Sequence, residues 1–238
     1  MLRRLALLLP LAVLACDLAP SQAPARAQQA VPAFPPPSRP VAAIVSDRWS
    51  DEGSREAKGE ADTVIRLSGL RPGMTAADIG AGEGYYTVKL SKAVGPQGEV
   101  IAQDIVPRVA QALDRRVRRL RLANVRVLIG GPDDPHLPPG AVDRAYLIHM
   151  YHEIEQPYAL MWRLHDALKP GARVAIVDSN RPTHQHGTPP ALLRCELEAV
   201  GYAQVGFHDL AEAGVYLALF EPRPDRPAPG AIRPCPAA

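Results

Sequence analysis

A chain of 238 residues is long enough to bury the core of one sizeable α/β domain. Its formal charge of +2 excludes a strong electrostatic pull on nucleic acid. The 26 prolines crowd toward both ends, which puts the ordered structure in the middle.

The stretch from Met1 to Ala15 joins a basic start (Arg3, Arg4) to an apolar run too short to cross a bilayer comfortably. This is a secretory signal pattern, and Ala25-Arg26-Ala27 supplies a small-x-small cleavage site. Removing residues 1–27 takes away Arg3, Arg4, Arg26 and Asp17 and leaves 24 basic against 24 acidic residues. An exported, periplasmic protein is the expectation. The alternative is Val13-Leu14-Ala15-Cys16, which is similar to the lipobox of bacterial lipoproteins; there Cys16 would carry the lipid anchor. Either route leaves Cys195 and Cys235. They pair in an oxidising compartment or remain two thiols, and the position of Cys235 in a Pro-rich tail favours two unpaired thiols.

Residues 28–49 read as a Pro-rich linker followed by a short helix over 41–49. Ser50 or Asp51 is placed to cap a long helix from Glu52 to Leu67, which Gly69 to Gly73 stops. Ala76-Ala77-Asp78-Ile79 is a buried strand, followed by glycines at alternate positions, Gly80, Gly82 and Gly84, and by helical spacing from Tyr85. Such a turn lets a ligand approach bare main chain at a helix start with its partial positive charge. Glu99 to Asp104 is a second strand ending in an acid. Pro107 to Leu122 is a helix with Val109, Leu113, Val117 and Leu120 toward the sheet. Its arginines (Arg115, Arg116, Arg118, Arg119, Arg121) lack interleaved aromatic residues and read as a solvated face.

Val125 to Ile129 is a third strand, followed by a loop carrying Asp133 and Asp134. Ala141 to Ile148 is a fourth strand that runs into His149-Met-Tyr-His-Glu-Ile154. A helix over Gln156 to Leu168, the stop Lys169-Pro-Gly171 and a fifth strand, Ala172 to Asp178, follow. A polar loop over 181–190 leads to a helix from Pro190 to Val200. The segments 203–210 and 214–220 then alternate like strands, and the turn between them is too short for a crossover helix, so they are antiparallel. Residues 222–238 read as a disordered Pro-rich tail.

A dinucleotide fingerprint needs glycine at a sixth position, where Tyr85 stands. The pattern Asp78-x-Gly80-x-Gly82-x-Gly84, Asp104, the fourth-strand end and Leu168-Lys-Pro-Gly171 together resemble the class I S-adenosylmethionine-dependent methyltransferases, over residues 50–221. The resemblance implies an α/β, Rossmann-like three-layer sandwich: a mostly parallel seven-stranded sheet with an antiparallel last strand. It implies S-adenosylmethionine as cofactor. Asp78, Gly80, Ala81, Gly82, Glu83 and Gly84 would wrap its methionine part, Asp104 with Ile105 its ribose, and Asp133 or Asp134 its adenine amino group. His149 would pack against the cofactor or act as a base. His152 is the first choice of base, with Tyr151 also near the reaction. Arg55, on the helix that covers the cofactor mouth in this family, is expected to be solvated. His184 and His186 are too few to make a metal site, and none is expected. The acceptor is a small molecule or a protein. Because S-adenosylmethionine is made in the cytosol, an exported chain has an alternative role as a non-catalytic binder of a nucleoside or small molecule.

Overall fold

A computed structural model describes residues 34–44 and 52–236. The signal segment, the cleavage site, Cys16 and the capping residues Ser50 and Asp51 lie outside the described residues.

The long helix expected after residue 51 is two helices, α1 (Glu52–Ala57) and α2 (Glu60–Ser68). Gly59, at φ 61°, divides them by taking a left-handed conformation that glycine adopts without a Cβ clash. The elements then alternate: β1 (Thr75–Ile79), α3 (Tyr85–Val94), β2 (Glu99–Asp104), α4 (Pro107–Arg119), β3 (Val125–Ile129) and β4 (Val142–Ile148). Next come α5 (Pro157–Ala167), β5 (Leu168–Asp178), α6 (Pro190–Ala199), β6 (Tyr202–Leu210) and β7 (Val215–Pro222). Leu168, Lys169 and Gly171, expected as a helix end and a stop, already belong to β5. Leu120 lies beyond α4 and is exposed rather than turned to the sheet.

The seven strands are ordered β3-β2-β1-β4-β5-β7-β6. Only β7 is reversed; it runs antiparallel to both β5 and β6. Chain order turns outward in opposite directions from β1 and β4, which are parallel neighbours. Open α/β sheets leave their crevice at such a switch, beyond the carboxyl ends of the strands. Side chains alternate across the sheet. Ala77, Leu147 and Ile176 pack with Leu164 and Leu193 of α5 and α6. Ala76, Tyr146 and Ala175 pack with Val64 and Leu90 of α2 and α3. Both faces of the central strands are therefore covered, which explains their nearly continuous apolar sequence.

Two segments expected to be loose are packed. In the expected linker, residues 41–44 are not helical, and residues 45–49 lie outside the described residues. Phe34 meets the Trp162 ring edge-on at 5.7 Å. Arg39 forms a buried ion pair with Glu196 of α6 at 3.0 Å, and the Ala42 N–H donates to the His152 carbonyl at 3.1 Å. The carboxyl tail is likewise not disordered over 222–236. Arg226 stacks on Trp162 at 3.4 Å from the ring centroid, and Ile232 is buried in the α5–α6 layer. Cys235 is joined to Cys195 of α6 by a disulfide, and its N–H donates to the Tyr158 hydroxyl at 2.8 Å. The expected pair of free thiols is thus corrected. The aromatic face of α5 supplies a surface on which a proline-rich chain packs without regular secondary structure.

Candidate functional site

The carboxyl ends of β1, β2 and β4 border a cavity of about 650 Å³. Asp78, residues 80–84, Asp104, Ile105 and His149, all expected to face the cofactor, line it. Gly82 has φ 55°, and a Cβ built on it meets no heavy atom within 4 Å among the described residues. The open space above it is therefore available to a ligand at main-chain distance. Gly84 serves a different need, since a Cβ there would lie 2.3 Å from the Leu113 side chain. Its small size lets α3 start tight against α4.

Asp104 holds the loop and faces the cavity. One carboxylate oxygen accepts the Gly82 N–H at 3.0 Å and the other accepts the Val106 N–H at 2.9 Å. Each oxygen retains a second lone pair, the arrangement that suits a vicinal diol. Asp78 is buried at the floor, where it accepts the Thr87 hydroxyl at 2.6 Å. Burial raises its pKa to about 6, against the Thr87 hydrogen bond and the positive charge of Arg55; Asp104 pushes it further up.

The cover comes from α1 and α2. Arg55 lies over the Tyr85 ring at 4.6 Å and the Tyr86 ring at 5.3 Å, and lines the cavity rather than standing in solvent as expected. Its Nε, like Gln103 Nε2, is a buried donor without a hydrogen-bond partner among the described residues. Both residues line the cavity, so two unmatched donors accompany the open glycine. That combination fits a ligand carrying carboxylate, hydroxyl and heteroaromatic acceptors, as S-adenosylmethionine does. Glu60 of α2 meets His149 Nε2 at 3.0 Å. Burial alone would raise the Glu60 pKa, but His149, Arg55 and the Tyr86 hydroxyl outweigh it and hold the group at about 2. His149 itself takes φ 55° at the end of β4.

Four expected site residues stand elsewhere. Asp133 is engaged by the Arg163 guanidinium from α5, and Asp134 accepts the His136 N–H at 2.8 Å to close its own turn. Gly131 and Pro132 of that loop line the cavity in their place. His152 is fully buried and bonded through Nδ1 to Asp178, at 3.0 and 3.1 Å to its two oxygens. Tyr151 is also fully buried, with the Arg39 guanidinium 5.4 Å from its ring centroid. Neither lines the cavity, so of the three expected catalytic side chains only His149 does. The sequence signal for Arg55 was its place on the covering helix. Gln103 carried no signal beyond lying one residue before Asp104.

Residues 76–171 match the methyltransferase domain family. That match, to a methyltransferase domain, takes in 96 of the 238 residues, and a solved S-adenosylmethionine-dependent methyltransferase shares the fold. A methyltransferase dependent on S-adenosylmethionine from Aquifex aeolicus superposes with a TM-score of 0.63 at 25% identity, covering 72% of this chain and 98% of its own. The [4+2]-cyclase SpnF superposes with a TM-score of 0.62 at 15% identity, covering 78% and 87%, a likeness of fold alone. In sequence, the chain is similar to the demethylmenaquinone methyltransferase of Geobacillus sp. strain WCH70, 26% identical over 129 residues. That stretch covers 54% of this chain and 55% of the relative, so the chain spans about half the length of the curated relatives it matches.

Proposed function

We propose that this chain is an S-adenosylmethionine-dependent methyltransferase acting on an acceptor, small molecule or protein, that is still to be identified. The observation that carries the reading is the open cavity above Gly82, with the Asp104 carboxylate clamped at its rim. The main chain around Gly82 would hold the methionine part, Asp104 the ribose hydroxyls, and Arg55 the methionine carboxylate. The bound cofactor supplies a methyl group already activated by a sulfonium. The chain therefore has to align the attacking atom and exclude water, and α1 and α2 serve as that cover. His149, oriented by Glu60, is the cavity-lining group placed to take a proton from an acceptor that needs to lose one.

Export to the periplasm belongs to the same proposal. The signal pattern of residues 1–27 and the Cys195–Cys235 disulfide support it, because disulfides persist in oxidising compartments. The lipid anchor at Cys16 is the alternative mode of export. The disulfide also favours a second reading, a non-catalytic binder, since the cofactor is made in the cytosol. Turnover separates the two. Purified chain should release S-adenosylhomocysteine with at least one member of a panel of quinols, phenols, amines, thiols and proteins, and His149→Ala should slow that release more than it weakens cofactor binding. Tight binding without release across the panel would favour the binder.

A further inference from the structure

We propose that His152, Glu153 and His186 form a divalent-metal site, with Zn²⁺ as the ion their chemistry suits. One ligand atom from each residue lies within 4.8 Å of the other two. His152 and Glu153 come from the short turn after β4 (Tyr151–Glu153), and His186 follows the turn Thr183–Gln185 after β5. The sequence pattern set His184 beside His186. The structure instead leaves His184 exposed and brings His186 to His152, ring centroids 5.5 Å apart and planes crossed at 85°.

The orientation of His152 supports the assignment. Its Nδ1 faces the Asp178 carboxylate, so Nε2 is the nitrogen directed to the cluster, 4.0 Å from Glu153 Oε1. A carboxylate on the far ring nitrogen fixes the tautomer and raises the basicity of a metal-binding histidine. Asp178 is itself held by the Ser179 N–H at 2.8 Å and the Thr188 hydroxyl at 2.7 Å. The loop bearing His186 is anchored as well, since Thr183 Oγ1 donates to the Pro40 carbonyl at 2.7 Å. Tetrahedral Zn²⁺ with nitrogen and oxygen ligands sets those atoms about 3.4 Å apart, so closure from separations within 4.8 Å requires a contraction of up to about 1.4 Å. Two imidazoles and a carboxylate make a borderline donor set that leaves a coordination position open. Glu153 also lines the cavity, which places the site on its wall.

This proposal does not rest on methyl transfer, and its test does not read activity. The full chain, stripped with chelator and dialysed, is titrated with Co²⁺ and then with Zn²⁺. The expected result is saturable visible absorption of tetrahedral Co²⁺ at one equivalent, abolished by Zn²⁺. His186→Ala should weaken Co²⁺ binding at least about tenfold, and Asp178→Asn, a positioning change, by about 10–100-fold. His184→Ala should leave it unchanged. His186 sits on a surface loop, and matched thermal unfolding in chelator confirms that its variant folds. Three results would each overturn the site: no saturable binding, undiminished binding by His186→Ala, or an equal loss in His184→Ala.

Discussion

Asp78 gives the cavity a pH dependence whose sign follows from its burial. Its ordinary carboxyl pKa of 3.8 rises to about 6 in the fold, so the group is neutral below that pH. A raised folded pKa favours the protonated form. Its contribution to stability is therefore greatest below the unfolded value of 3.8 and is lost as pH rises through about 6. Cofactor binding runs the other way, because a cationic ligand prefers the carboxylate. Affinity for S-adenosylmethionine should rise as pH increases through about 6, and Asp78→Asn should flatten that step; equilibrium binding across the range checks both. Gly82→Ala should also weaken binding, because the added methyl occupies the open approach and sits at φ 55°. At this scale the place of the glycines, Asp78 and Asp104 in the cavity lining was legible because their spacing is local. Asp133 was not, since its partner Arg163 lies 30 residues away in sequence. His152 was legible as a histidine at a strand end but not as a partner of Asp178, which arrives from another strand.

At the scale of elements, the two proline-rich ends act as straps over α5 and α6. Proline richness signals that a segment lacks helix or strand, and it carries no information on whether the segment packs. The packing here depends on Trp162, Tyr158 and Glu196, residues whose role as a docking surface no local pattern announces. Arg39→Ala would strand the buried Glu196 charge and should cost about 3–5 kcal/mol by denaturant unfolding. The double change Cys195→Ser with Cys235→Ser should cost about 2–4 kcal/mol and leave cofactor affinity intact, because no described residue of the tail lines the cavity. The break between α1 and α2 is a smaller case of the same kind. A glycine inside an apolar periodic run is tolerated in a helix often enough that only the structure shows Gly59 dividing it.

For the molecule as a whole, the mostly parallel sheet and its single reversed strand were legible, whereas the order of the strands came from the structure. Strand–helix alternation implies parallel crossovers, and the short turn between β6 and β7 forbids one. That topology fixes the cavity at the point where strand order diverges, and everything proposed for the site follows from what occupies it. The fold alone does not choose the chemistry, as its likeness to a cyclase shows. Calorimetric titration of residues 28–238 with S-adenosylmethionine and, separately, with NAD is the direct measurement. One molecule of S-adenosylmethionine should bind per chain, NAD should not, and Asp104→Ala should weaken the binding by at least about tenfold, the loss of charge-assisted hydrogen bonds. Absence of S-adenosylmethionine binding, or equal affinity in Asp104→Ala, would contradict the account.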